Sequence, residues 1–238
     1  MSWQAHIITG APRMVPGPLG ESLAGRALEQ GLWSLTTHDL REFGEGKHKN
    51  IDDTPAGGGA GMVLRADVAA AALDHVTQGL AAPLPVILPS PRGVAFTQSM
   101  AEDLAAGGGA IFFCNRFEGI DERFIETRRP LEVSLGDYIL SGGETAALTM
   151  LDAIIRLIPG VMGKAESGTD ESFSQANDGL LEYPHYTRPQ IFEGREIPDI
   201  VTSGDHEKLR LWRRAEAERL TRERRPDLWA AHEAKKNR

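Results

Sequence analysis

Apolar positions in this chain cluster into short continuous runs, and polar or glycine-rich stretches separate those runs at helical lengths. Val86 to Leu88, Ala110 to Cys114 and the β-branched segment through Val133 are strands of this kind. Unbroken apolar strands of three to six residues belong to a parallel sheet covered on both faces. Thr97 to Ala106 reads as a helix stopped by Gly107, Gly108 and Gly109, and Met62 to Val76 as an alanine-rich helix ended by Gly79, Pro83 and Pro85. Nearer the start, His6 to Thr9 is a strand, Pro12, Pro16, Gly17 and Pro18 impose a loop, Ser22 to Gly31 is a helix with Ser22 as N-cap, and Leu32 to Thr36 is a second strand. The pattern predicts an α/β fold.

The stretch VSLGDYILSGGE, Val133 to Glu144, organises the rest. It runs as a strand, a bend through Gly136, and a helix start at Gly142 and Gly143. From Thr145 to Ile158 the apolar positions are too dense for one stripe, so the helix is expected to be buried on most sides. Glycines let another molecule approach main-chain donors and acceptors closely. A tight turn without a ligand accounts for this stretch equally well. Two further strand-to-loop units, SPRG after Leu88 and NRFEGID after Cys114, change the balance. In open parallel sheets ligands bind beyond the carboxyl ends of the strands, where all three loops would meet.

Neither G-x-G-x-x-G after a strand nor G-x-x-x-x-G-K-[ST] occurs, which removes the dinucleotide and P-loop readings. Residues 44–61, with KHKNIDDTPAGGGAG, have no period and read as a long surface loop. Lys47, His48 and Lys49 could meet phosphate there. Asp52 and Asp53 could orient a base or cap a turn.

Composition bounds the class. A hydrophobic fraction of 41% supports a full core, and the single cysteine, Cys114, allows no intramolecular disulfide, as in a reducing compartment. No signal-like or membrane-length apolar segment is present, so a cytoplasmic protein without a membrane partner is expected. Net charge is −8 but uneven: residues 205–238 hold 11 Lys or Arg against 7 Asp or Glu, leaving 15 against 27 for the remainder. An acidic body with a basic tail would meet a polyanion mainly at the tail.

PSPRG, RFEGIDER, LGDYILSGGE, RLIPGV, SFS followed by GLLEYPHYTRP, and SGDHEKLRLWR occur in this order between Pro89 and Arg213, within a likeness that runs from about Leu19 to about Trp212. Together they resemble the bacterial tRNA (guanine-N1)-methyltransferase family. The resemblance implies a SPOUT-type parallel sheet with a deep trefoil knot and a small all-α C-terminal domain. It also implies S-adenosyl-L-methionine as methyl donor, with Mg2+ as a candidate ion, and a homodimer with its active site between subunits. The target would be N1 of guanosine 37, just 3′ of the anticodon in the tRNA anticodon stem-loop.

Position by position, the resemblance places the cofactor wall at Pro91, Asn115, Gly119, Leu135, Gly136, Asp137, Tyr138, Ile139, Leu140, Gly142 and Gly143. Asn115 stands where the family usually has Gly, and Asn tolerates a left-handed backbone better than other side-chain-bearing residues. Ala56 stands where the family tends to have an aromatic. Methylating guanine N1 requires a base to remove its proton and a cation to steady charge developing on O6. Arg156 matches the family's catalytic arginine, and Glu171 stands where the family has an aspartate base, with Asp170 adjacent. Glu118 is a second carboxylate able to accept from guanine N1–H or N2–H₂; its structural reading is an ion pair with Arg116 or Arg123.

The expected organisation is a cofactor-binding and catalytic domain over 1–163, a flexible polar linker over 164–180 and a helical tRNA-binding domain over 181–238. In the last, Tyr183 to Pro189 forms a rigid aromatic and basic connector with His185 as a hydrogen-bonded packing residue. Asp205 caps a helix from about His206 to Arg222, Leu209, Trp212 and Leu220 face inward, and residues 235–238 form a frayed tail. Two other classes compete: a nucleotide-binding oxidoreductase, which lacks its fingerprint, and a non-catalytic RNA-binding module of the same fold.

Overall fold

A computed structural model of the chain describes residues 2–163 and 171–236. It divides into two units, Met1–Gly163 and Lys164–Arg238.

In the first unit, β1 (Trp3–Thr9) leads through two 3₁₀ turns, Pro12–Met14 and Gly17–Gly20, into α1 (Ser22–Glu29) and β2 (Trp33–Asp39). The proline-rich segment is thus a pair of tight turns rather than open loop. Ser22 is not the cap: Glu21 precedes the helix and Ser22 lies inside it with φ 54°. A short antiparallel pair, β3 (Asp52–Asp53) and β4 (Val63–Leu64), interrupts the long loop. α2 begins only at Ala66 and runs to Gln78, because Val63 and Leu64 are taken into β4 and its contacts.

The central sheet continues with β5 (Val86–Ala95), α3 (Gln98–Ala106), β6 (Gly109–Cys114), α4 (Glu122–Arg128), β7 (Leu131–Ser134) and α5 (Gly143–Ile155). Its five strands are parallel in the order β2-β1-β6-β5-β7. Every residue of β6 is buried, as its unbroken apolar sequence requires. One core, with Ile7, Trp33, Phe112 and Leu151, fills the face covered by α1, α3 and α5. The other, with Ile8, Leu73, Phe113 and Phe124, lies under α2 and α4. Nine residues of α5 are buried, so this helix is enclosed as its sequence predicts.

The chain goes from β5 to β6 on one side and then returns past β5 to β7. That reversal opens a crevice beyond the carboxyl ends of β5, β6 and β7.

The second unit has a short hairpin, β8 (Ile191–Phe192) and β9 (Arg195–Glu196), then α6 (Asp199–Thr202), α7 (His206–Arg224) and α8 (Pro226–Lys236). It is helical with one hairpin, rather than helices alone. The Asp205 carboxylate accepts from the Lys208 amide and so caps α7 as expected. Leu209, Trp212 and Leu220 are half-buried, while Ala217 and Thr221 are the buried positions of α7. α8 was not anticipated, and it takes in Lys235 and Lys236 from the expected tail. Glu171 to Leu180 form turns held by Phe173 N–H to Leu180 O (2.9 Å) and Gly179 N–H to Ser174 O (3.0 Å).

Candidate active site

A cleft of about 580 Å³ occupies the crevice, within the range of small-molecule sites. Three segments wall it: residues 88–92, 115–122 and 132–143 without Asp137. SPRG is not a loop after a strand but an excursion inside one. β5 pairs with β7 through Ile87 to Pro89, breaks register, and pairs again at Val94 and Ala95. Ser90 to Gly93 bulge outward between these pairings. Ser90 Oγ donates to Glu132 Oε2 (2.7 Å), and Arg92 reaches Glu122 at 3.1 Å and Glu132 at 3.5 Å. The Glu122 hydrogen bond, with the Glu132 charge beside it, raises the Arg92 pKa further.

The loop after β6 is fastened to the long loop. Glu118 N–H donates to Met62 O (2.9 Å), Leu64 N–H to Gly119 O (3.0 Å) and Asp121 N–H to Leu64 O (3.0 Å). Its positive-φ residues are Phe117 (φ 63°) and Gly119 (φ 124°), so Asn115 does not carry the left-handed conformation that a glycine position suggests. The turn closes when Asp121 caps α4 through the Arg123 amide, and the Arg123 guanidinium lowers the Asp121 pKa.

The third wall is the Leu135–Gly143 bend. Tyr138 and Ile139 are 56% and 81% exposed, an apolar rim that a compact monomer would be expected to cover. Gly142 has an extended backbone, so its conformation does not demand glycine. Space does: a Cβ there would lie 2.5 Å from Glu144 Oε2 and 3.1 Å from Arg116 Cγ.

Of the expected cofactor residues, Pro91, Asn115, Gly119, Leu135, Gly136, Tyr138, Ile139, Leu140, Gly142 and Gly143 line this one cleft, and Glu118 joins them. Asp137 lies exposed in the same bend and is not on the wall. Glu118 makes neither expected ion pair, because Arg116 engages Glu144 and Arg123 engages Asp121. Arg156 caps the far end of α5, about 20 Å from Gly143 at ~1.5 Å per residue. Glu171 belongs to the second unit, and Asp170 lies outside the described residues. Ala56 lines a separate cavity of about 910 Å³ between the long loop, α2 and α4.

The sequence reading missed Arg116 and Glu144 as a pair. Arg116 Nε donates to Glu144 Oε1 at 2.9 Å, and Thr9 Oγ1 donates to the same oxygen at 2.7 Å. A glutamate in the first turn of a helix expected to be buried on most sides was the available signal. Among the described residues no group of three or more His, Cys, Asp or Glu is placed to hold a metal, and no helix is long and apolar enough to cross a membrane.

Fold and cleft together define an α/β protein with a cleft of small-molecule size where its parallel sheet reverses direction. Residues 3–231 match the family model described as tRNA (Guanine-1)-methyltransferase TrmD. The chain is 60% identical over 234 residues to a tRNA (guanine-N(1)-)-methyltransferase of Rhodopseudomonas palustris, covering 98% of this chain and 92% of that protein. Proteins of the same name from Mesorhizobium japonicum and Nitrobacter winogradskyi are 60% and 61% identical, covering 98% and 97% of this chain and 98% and 95% of their own. The chain belongs to the tRNA (guanine-1)-methyltransferase family.

Proposed function

We propose that the chain transfers a methyl group from S-adenosyl-L-methionine to N1 of guanosine 37 in the tRNA anticodon stem-loop. The observation that carries this reading is the convergence of ten expected wall residues on one cleft at the sheet's reversal. The donor fits the residues present. Adenine and sugar suit a cleft with exposed main chain and the apolar Tyr138, Ile139 and Leu140, and at Gly119 an added Cβ would meet nothing within 4 Å. When bound, S-adenosyl-L-methionine supplies an electrophilic methyl group.

The chain's own residues supply the rest. Glu171, with Asp170 adjacent, takes the N1 proton, so that the nitrogen lone pair is free to attack. Arg156 holds the negative charge that this shifts onto O6. Glu118, on the cleft wall, accepts from N2–H₂ and selects guanine. Basic α7 meets tRNA phosphates through Arg210, Arg213, Arg214 and Arg222. Mg2+ belongs to this reading as an ion accompanying the RNA.

The finer architecture belongs to the same proposal: a SPOUT sheet knotted where the Leu135–Gly143 bend passes the Ser90–Gly93 bulge, in a cytoplasmic homodimer with its site between subunits. The apolar rim supports dimerisation. So does the length of α5, which keeps Arg156 far from its own chain's Gly142 and Gly143.

The deciding experiment uses tritiated-methyl donor with an unmodified tRNA transcript. Label is expected in the wild-type transcript and absent when guanosine 37 is replaced by adenosine. RNA binding without label transfer would leave the non-catalytic module as the answer.

A further inference from the structure

Glu144 is only 1% exposed, and its two carboxylate oxygens are treated unequally. Oε1 accepts twice, from Thr9 Oγ1 at 2.7 Å and from Arg116 Nε at 2.9 Å. The Thr9 hydroxyl proton points to Glu144, whose carboxylate oxygen can only accept, while the Thr9 oxygen itself accepts from the Ala11 amide at 2.9 Å. Oε2 is buried without a hydrogen-bond partner among the described residues. An unsatisfied buried carboxylate oxygen opposes folding, so its persistence at the head of α5 calls for a role.

Arg116 is also incompletely matched. A guanidinium and a carboxylate pair best as a fork, with Nε and one Nη each taking an oxygen. Here only the Nε arm reaches Glu144. The Nη2 arm rests on Met14 Sδ at 3.0 Å, a weak acceptor. The unfilled oxygen borders Gly142, where a Cβ would lie 2.5 Å from Oε2, and the Arg116 side chain passes the same point, its Nε 3.2 Å from that Cβ. Arg116 and Gly142 both line the donor cleft.

We propose that Glu144 is a positioning residue, its Oε2 the acceptor that Arg116 Nη2 takes up, leaving Met14, when S-adenosyl-L-methionine fills the cleft. The completed fork locks the Asn115–Arg116 wall against the Gly142–Gly143 wall on either side of the donor. This rests on the cleft being the donor site. No covalent step is involved; one weak hydrogen bond is exchanged for a charge-assisted one.

The test is calorimetric titration of the full-length protein with S-adenosyl-L-methionine, together with steady-state kinetics. In Glu144→Gln an amide NH₂ replaces Oε2 and faces the guanidinium donor to donor. It should raise the donor's Kd and KM about tenfold while kcat changes less than twofold. Arg116→Lys, which removes the fork but keeps the charge, should match it, and the double variant should be no worse than either alone. Met14→Leu removes the competing acceptor at similar volume and should tighten donor binding two- to threefold, but do nothing in the Glu144→Gln background.

A purely structural Glu144 would not make Met14→Leu bind more tightly. Additive losses, an unchanged Kd in Glu144→Gln, or a neutral Met14→Leu would each overturn the proposal. Should Glu144→Gln fail to fold, the Met14→Leu and Arg116→Lys measurements still decide it. Absence of donor binding by the wild-type protein would instead sink the donor-site reading itself.

Discussion

Gly93 lies flat against the backbone of Val133: a Cβ on it would come within 2.3 Å of the Val133 amide nitrogen. The contact lies where β5 rejoins β7 after its bulge, so the missing side chain lets the two strands close again. Backbone cannot swing aside as a flexible side chain can. Gly93→Ala should therefore lose about 1–3 kcal/mol of stability by overpacking. It should also weaken S-adenosyl-L-methionine binding, because the Ser90–Arg92 wall must shift. Urea denaturation and calorimetry measure the two effects; a variant with native stability would mean the strands have slack the structure does not reveal.

Arg156→Ala and Glu171→Ala should each lower turnover by about 10²–10⁴-fold, the usual size of a lost charge stabiliser or general base. Donor affinity should stay within about twofold of wild type, since neither residue is on the cleft wall. Single-turnover methyl transfer and calorimetry separate the two quantities. Full activity in Glu171→Ala would move the base to another residue.

Stability should fall as pH drops below about 6.5. His6 Nδ1 and His38 Nε2 are 3.2 Å apart with stacked rings. Burial lowers the pKa of His6; burial, then the charges of His6 and His75, lower that of His38 against a smaller opposing effect of Glu42. On acidification the unfolded chain, with ordinary histidines, takes up protons before the folded protein does. The stabilisation is present above the unfolded value and is lost as pH falls through the folded ones. Urea midpoints between pH 5 and 8 should show this slope, and His38→Gln should flatten it.

In the second unit, Thr221 Oγ1 accepts from the Leu181 amide at 2.9 Å and donates to Ala217 O at 2.7 Å while completely buried. Thr221→Val keeps the shape but leaves the Leu181 N–H without its acceptor, which should cost about 1–3 kcal/mol. Faster amide exchange confined to residues near Leu181 and α7 would verify it. Unchanged exchange would place the strength of this unit elsewhere.

The alternation of strands and helices, the buried α5 and the convergence of three loops were legible because each depends on local pattern. Unbroken apolar runs mark strands covered on both faces, and glycines mark where the chain turns. Long-range pairing was not legible. PSPRG reads as punctuation, yet Val94 and Ala95 find β7 again and make it a bulge. Met62 to Leu64 carry helix-compatible residues, yet hydrogen bonds to β3 and to the loop after β6 draw them out of α2. A glycine position at Asn115 suggests a left-handed turn there, whereas Phe117, two residues on, takes that conformation. Glu144 escaped notice because its partners, Thr9 and Arg116, are 135 and 28 residues away in sequence.

Cys114, the chain's single cysteine, is wholly buried beneath the cleft, and burial pushes its thiol well above the ordinary range. Maleimide reagents therefore meet a protein with no reactive background. A cysteine introduced at exposed Phe117 would carry a fluorophore alone, giving an optical readout of that rim without first stripping out the native thiol.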